Sequence, residues 1–183
     1  FKFSTSNFIT YDLFVDLKKN IKFIKNNLRK SYKSLVINKH KNLDILILDS
    51  DNKKIWNEYK KIHFISAGRK TRSDKSWDMQ YNEIKKKNAF LVYILYKKKF
   101  ISGALINFTK DESYYSSGTY LYPNKIINNL GHLTQFRAIE ELQKRGIKMH
   151  KIGFINYNRD EKRKTIDDFQ IGFSTNYLER FNF

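Results

Sequence analysis

A mixed α/β (α+β) domain, with a mainly antiparallel central sheet flanked by helices, is the fold class this chain predicts. Three observations carry it. The apolar pattern switches along the chain between a period of two and a period near 3.6, so strands and helices interleave. Three strand-like runs in the middle are joined by polar connections of only three residues, as in an antiparallel meander. Finally, 40% apolar and 16% aromatic residues are enough to build one core in 183 residues, the size of one domain spanning residues 1–183.

Taken in order, Ile9, Tyr11, Leu13, Val15 and Leu17 alternate with Thr10, Asp12 and Asp16, which predicts a half-buried first strand. Ile21, Ile24, Leu28, Tyr32 and Leu35 then recur three and four apart and predict one amphipathic helix over residues 19–38. Residues 43–48 read as a short apolar strand closed by Asp49, Ser50 and Asp51. Ile55, Trp56, Tyr59 and Ile62 restore the helical period, residues 66–75 break it, and a second helix follows over 77–87. The meander comprises residues 89–96, 100–109 and 113–122. After Pro123, the spacing of Leu133, Phe136, Ile139 and Leu142 marks a helix that Gly146 stops. Residues 148–155 return as a strand, and the crossover helix before it suits a parallel pairing with 113–122. A short helical turn at 166–172 and a last strand at 175–181 follow.

Composition excludes several classes. The chain has no cysteine, hence no disulfide framework, no thiolate zinc site and no cysteine nucleophile, and a cytoplasmic location is expected. With no H-E-x-x-H, paired-histidine helix or acidic ligand cluster, no metal is expected. The longest apolar runs fall far short of the roughly 20 residues of a membrane span. The chain starts at Phe1 with no readable signal sequence, so the N-terminal end is expected to be trimmed or incomplete. Thirty-six cations against 18 acids give a net charge of +18. Lysines outnumber arginines 28 to 8 and asparagine and isoleucine abound, so part of this basicity reflects an A- and T-rich genome. Between Lys18 and Leu43 there are nine cations and no acid, and Lys18, Lys22, Lys25, Arg29 and Lys33 stripe the predicted helix. A stripe of this kind can track phosphates, which keeps a basic RNA- or nucleic-acid-binding module without catalysis as the alternative function.

More specific text lies in Ser66-Ala67-Gly68-Arg69-Lys70-Thr71-Arg72-Ser73, with Trp77 and Gln80 just beyond it. Tyr115-Ser116-Ser117-Gly118 sits on the third meander strand, and His132 stands near the start of the helix that carries Ala138-Ile139. Gly146-Ile147-Lys148 leads into Ile152-Gly153, and Ile166-Asp167-Asp168-Phe169-Gln170-Ile171-Gly172-Phe173 closes the set. Together with the order of elements, this set resembles the FemAB-like branch of the GNAT acyltransferase superfamily, relatives of the ligases that add amino acids to peptidoglycan precursors. The likeness runs from Leu13 to Phe173, and a lysine is more usual in that branch at the place of Gln170.

The resemblance implies a GNAT-like sheet and an N-acyl or aminoacyl transferase. An activated donor would give its acyl group to an amine on a small molecule, a cell-envelope precursor or a glycan precursor. Full peptidoglycan ligases carry two such domains and usually a helical arm for aminoacyl-tRNA, whereas 183 residues hold one domain. Acyl-CoA is therefore the expected donor ahead of aminoacyl-tRNA, and nucleic acid is a partner only in the second case. GNAT enzymes hold the CoA pyrophosphate on a glycine-rich turn at a helix N-terminus, where free N–H groups meet the anion. The corresponding turn here makes Asn129, Leu130 and Gly131 the implied donor-binding residues, with one glycine where the usual pattern begins with Gln or Arg and has two small residues.

Amine attack on an ester or thioester requires loss of a proton and stabilisation of the carbonyl oxygen. Of the four histidines, His40, His63 and His150 read as surface or packing residues. His132, beside Gly131 at a helix start, is the candidate base. Arg69 and Arg72 flank Thr71 in a loop, a spacing that lets two guanidinium forks converge on one phosphate or carboxylate. By strand parity Tyr115 and Ser117 share one face while Tyr114 and Tyr120 take the other. The Tyr115 phenol is then a candidate acid or hydrogen-bond donor, with Ser117 beside the substrate. Gly118 hints at a bulge or close backbone approach. Trp77 and Gln80, one helical turn apart, are placed to close over a substrate.

Overall fold

A computed structural model of the protein describes residues 8–121, 127–156 and 163–182. Its elements are β1 (Phe8–Asp16), α1 (Ile21–Asn27), α2 (Tyr32–Leu35), β2 (Leu43–Leu48), α3 (Lys53–Ala67), α4 (Asp74–Lys85), β3 (Ala89–Tyr96), β4 (Lys99–Phe108), β5 (Glu112–Tyr120), α5 (Leu130–Lys144), β6 (Met149–Asn156), α6 (Lys164–Phe173) and β7 (Asn176–Asn182). The seven strands form one sheet in the order β2-β3-β4-β5-β6-β1-β7. Every neighbouring pair is antiparallel except β5 and β6, which run parallel. Tyr122 and Pro123 lie outside the described residues.

Local chemistry sets most of the boundaries. Asn52 accepts from the Ile55 N–H at 3.1 Å and starts α3, which Gly68 ends with φ of 65°, a left-handed conformation that favours glycine. Ser73 accepts from the Ser76 N–H at 3.2 Å, so α4 begins at Asp74, earlier than its apolar spacing predicts. The single helix expected over 19–38 is two short ones. Leu28 turns extended at ψ of 148°, and the next N–H, that of Arg29, donates to the Gly172 carbonyl in α6 at 2.9 Å. A tertiary bond thus replaces an intrahelical one, and the stripe of Lys18, Lys22, Lys25, Arg29 and Lys33 is divided between two pieces. The break leaves Ile24, Leu28, Tyr32 and Val36 all buried. The short turn expected at 166–172 is the ten-residue helix α6.

Helices cover both faces of the sheet. On one, α1, α2, α5 and α6 bury Ile24, Tyr32, Ile139 and Phe173 against Val15, Phe90 and Ile106. On the other, α3 and α4 bury Trp56, Tyr59, Trp77 and Ile84 against Leu91 and Leu105. Each such side chain contributes about 1.5–3 kcal/mol by leaving water.

The parallel join is short. Only Glu112, Ser113 and Tyr114 of β5 pair with Met149, His150 and Lys151 of β6. Fully buried His150 locks it through a chain of donors: Gln135 Nε2 to His150 Nε2 at 2.9 Å, His150 Nδ1 to Ser113 Oγ at 2.9 Å, and Ser113 Oγ to the Met149 carbonyl at 3.2 Å. This sequence of donors requires the neutral ring with its proton on Nδ1. Beyond Tyr114 and Lys151 the two strands separate.

Burial holds the His150 pKa down to about 3, against an ordinary 6.5. Below pH 6.5 the unfolded chain binds a proton that the native ring refuses, so native stability is whole above that pH and is lost as the pH falls toward 3. Each unit crossed costs about 1.4 kcal/mol per such group. Urea melts between pH 7 and pH 4 should show this slope, shallower by up to one proton in His150→Gln, with about 1–3 kcal/mol lost at neutral pH as Ser113 and Gln135 are unpaired. Equal slopes in the two proteins would refute the buried neutral ring.

Candidate active site

The separation of β5 from β6 opens the only break in pairing between neighbouring strands among the described residues. Its β5 wall is shaped by a bulge: Leu105 of β4 faces Ser117 while Ile106 faces Tyr115, so Ser116 is an extra residue. The bulge reverses the expected parity. Tyr115 packs with the α5-side core, as does Ile106 opposite it, whereas Leu105 and Ser117 lie on the α3 and α4 side. Tyr115 and Ser117 therefore point to opposite faces, and Tyr114 and Tyr120 do as well.

On the α5 side, the Tyr115 hydroxyl lies against Gly118, in the space a Cβ there would fill. That contact is why this position takes a glycine. Burial pushes the Tyr115 phenol well above its ordinary pKa, and the nearby Tyr59 and Tyr120 hydroxyls push the same way. It stays a proton donor throughout the physiological range. Tyr120 leads to the start of α5, where a Cβ on Gly131 would stand 3.5 Å from its ring and 3.8 Å from that of Phe169. His132 is packed among Tyr32, Phe169 and Phe173, with ring centroids 4.4, 5.3 and 5.9 Å away. Its Nε2 is buried without a hydrogen-bond partner, and burial lowers its pKa to about 4. On β6, the Gln170 amide lies over Gly153, its Oε1 also unpaired.

The turn before α5 divides its labour. Leu130 is wholly buried in a core cluster with Leu43, Ile94 and Ile101. The Asn129 side chain donates to the Leu35 carbonyl at 2.7 Å and fastens α5 to α2, leaving its Oδ1 unpaired. The first turn of α5 therefore offers backbone N–H groups, while the side chain of Leu130 faces the core.

The α3 and α4 side is polar at the same level of β5. Tyr59 is fully buried, and its hydroxyl bonds Ser117 Oγ at 2.7 Å. Burial raises its pKa to about 12. Arg72 Nη1 donates to His63 Nε2 at 3.1 Å, and the other ring nitrogen, Nδ1, donates to Thr71 Oγ1 at 3.3 Å. The guanidinium also lies over the Trp77 ring at 5.0 Å. Trp77 is buried against Trp56, Tyr59 and His63, so it is a floor beneath Arg72 and not a lid. Arg69 lines a neighbouring groove of about 320 Å³ with Lys60, Lys61, Phe64, Lys70 and Asp74. Gln80 is half-buried, with Oε1 unpaired. His63 meets Thr71 and Arg72 across the turn at Gly68, partners that its sequence context does not reveal. Among the described residues no three His, Asp or Glu side chains are grouped to hold a metal ion.

No protein-family profile matches the chain, and no curated protein matches it. Solved structures do. FemX superposes with a TM-score of 0.72 at 13% identity, over 92% of this chain and 59% of that one. L-PGS from Bacillus licheniformis gives 0.67 at 10% identity, over 96% of this chain and 60% of that one. The chain has the fold of FemX and L-PGS. An aminoglycoside acetyltransferase, meta-AAC0020 from an uncultured soil metagenomic sample in complex with sisomicin, matches at 0.56 and 12% identity, over 70% of this chain and 84% of that one. The chain thus spans about three-fifths of FemX and L-PGS. No helix among the described residues is long and apolar enough to cross a membrane.

Burial first, and the Arg72 charge second, hold the His63 pKa below 6.5. Arg72→Ala removes the second cause, so an NMR titration should find the His63 pKa raised toward, but still short of, its ordinary value. An unchanged pKa would mean that Arg72 does not rest on this ring.

Proposed function

We propose that this protein is an N-acyl or aminoacyl transferase whose reaction takes place in the gap between β5 and β6. The observation that carries this reading is the gap itself. Elsewhere along the described strands the sheet separates its two faces by continuous pairing, and here an acyl donor approaching from α5 and an amine approaching from α3 and α4 can meet.

The donor's anionic end fits the first turn of α5, where backbone N–H groups and the helix dipole favour negative charge. Its acyl carbonyl then lies along β5, near Tyr115. The acceptor sits on the other face, where Arg69 and Arg72 suit a carboxylate or phosphate on the same molecule. The amine nitrogen forms its bond to the carbonyl carbon, the C–S or C–O bond to the carrier breaks with its electron pair on sulfur or oxygen, and the proton that the nitrogen loses ends on that atom, so the carrier leaves as its thiol or alcohol. Tyr115, a protonated phenol, stabilises the carbonyl oxygen or protonates the departing group. His132 is neutral above pH about 4, so its Nε2 accepts a hydrogen bond from the amine but is a weak base. Orientation of an amine that arrives already neutral supplies much of the rate. A cell-envelope or glycan precursor is the acceptor class in keeping with the FemAB-like fold.

The test is transfer to a panel of amino sugars and amino-acid amines, from acyl-CoA followed by free-thiol release and from aminoacyl-tRNA followed by loss of label. One donor class should support turnover. With the active pair, Tyr115→Phe should lower kcat by about 10²-fold. Arg72→Ala should raise the acceptor KM about tenfold with less change in kcat. His132→Ala should lower kcat, and the wild-type pH profile should show no limb near 6.5, only that of the amine. No transfer from either donor, or full activity in Tyr115→Phe, overturns the assignment.

A further inference from the structure

The stretch from Lys18 to Lys41 differs from the rest of this basic chain. Elsewhere acids are interspersed with the lysines and several of them pair: Lys53 with Asp78, Lys70 with Asp74, Lys148 with Asp111 and Lys151 with Asp12. The nine cations of residues 18–41 make no ion pair among the described residues, and all but Lys25 are exposed. Genome composition explains many lysines but not a run from which every acid is missing.

The same stretch exposes apolar side chains that the fold does not use. It is fastened to the body of the domain by Ile24, Leu28, Tyr32 and Val36, all buried, and by the Arg29 N–H bond to Gly172. With the inward positions filled, Phe23 and Ile37 remain 44% and 43% exposed among the lysines. Apolar side chains set in uncompensated positive charge match one kind of surface, a bilayer with anionic headgroups, where the charges meet lipid phosphates and the apolar groups enter the acyl boundary. RNA fits less well. Eight of the nine cations are lysine, which lacks the planar fork of arginine, and Ile37 has no face on which a base can stack.

We propose that residues 18–41 form a docking surface that holds this domain on an anionic membrane surface. The charges give attraction at a distance, and Phe23 and Ile37 give shallow insertion. The surface adjoins the start of α5 through the Asn129 bond to Leu35 and the packing of Tyr32 on His132, so docking brings the gap between β5 and β6 close to the lipid headgroups. This proposal stands whether or not acyl transfer is found.

The test is co-sedimentation of the full chain with vesicles of phosphatidylcholine alone and of phosphatidylcholine mixed with phosphatidylglycerol. Binding is expected to the second only, weakening as salt rises. Each lysine near the surface is worth about fivefold in affinity, so Lys22→Gln with Lys30→Gln and Lys33→Gln should lose about 100-fold. Phe23→Ser with Ile37→Ser leaves the charge intact and should lose about tenfold. All five positions are exposed, and circular dichroism checks that the variants keep the native fold. Phe23→Trp should add a fluorescence component that shifts to the blue with anionic vesicles and not with neutral ones. Failure to bind anionic vesicles, equal binding to both kinds, or no effect of the Phe23 and Ile37 changes overturns the proposal. Tighter binding to poly(U) RNA than to anionic vesicles, undiminished in the apolar variant, would assign the surface to RNA.

Discussion

A buried imidazole between two neutral partners holds the parallel join of this sheet. His150 accepts a hydrogen bond from Gln135 on α5 and donates one to Ser113 on β5, so helix and both central strands share one chain of hydrogen bonds. The antiparallel ladder on either side is long and repetitive, but β5 and β6 share only three paired positions. Without the lock, a four-stranded and a three-stranded part of the sheet would meet through little backbone bonding. With it, they are fixed at one end and free to diverge at the other, and the gap used for the proposed chemistry follows from that geometry.

The lock also determines what the two faces of β5 can do. Because the strand leaves its partner after Tyr114, the Ser116 bulge can turn Tyr115 toward α5 and Ser117 toward α3. Polar groups consequently lie on both sides of one short segment: a phenol with its pKa raised by burial on one, and a hydroxyl pair near His63 and Arg72 on the other. Buried polar atoms without a hydrogen-bond partner include His132 Nε2, Gln170 Oε1 and Asn129 Oδ1 on one face and Gln80 Oε1 on the other, and also Trp56 Nε1, Gln135 Oε1 and Asp167 Oδ1. An unpaired buried polar group costs free energy.

Electrostatics divides the surface by a different rule. The 36 cations are spread over most of the chain, and several pair with acids four residues away or across a strand. Residues 18–41 hold nine cations and no acid, and they lie next to the start of α5. Both donor classes considered for the reaction are polyanions, and anionic lipid is one as well, so this region of positive potential is compatible with chemistry carried out close to a phosphate-rich surface.

Alternation and helical spacing were sufficient to place the strands, the helices α3, α4 and α5, and the parallel return of β6, since each depends on burying one face of a local element. The motif set also led to the fold shared with FemX, at an identity of 13%. Periodicity could not reveal the break at Leu28, because Ile24, Leu28, Tyr32 and Val36 keep helical spacing while the Arg29 N–H bonds a residue 143 positions away in sequence. Nor could it reveal the Ser116 bulge, which is set by registry with β4 and overturns strand parity for Tyr115 and Ser117. His63 and His150 gain their roles from partners on other elements. What the sequence by itself determined is the class of each element and which face it buries. Tertiary structure decided which polar side chains meet, because such meetings depend on long-range hydrogen bonds and strand register that no local pattern encodes.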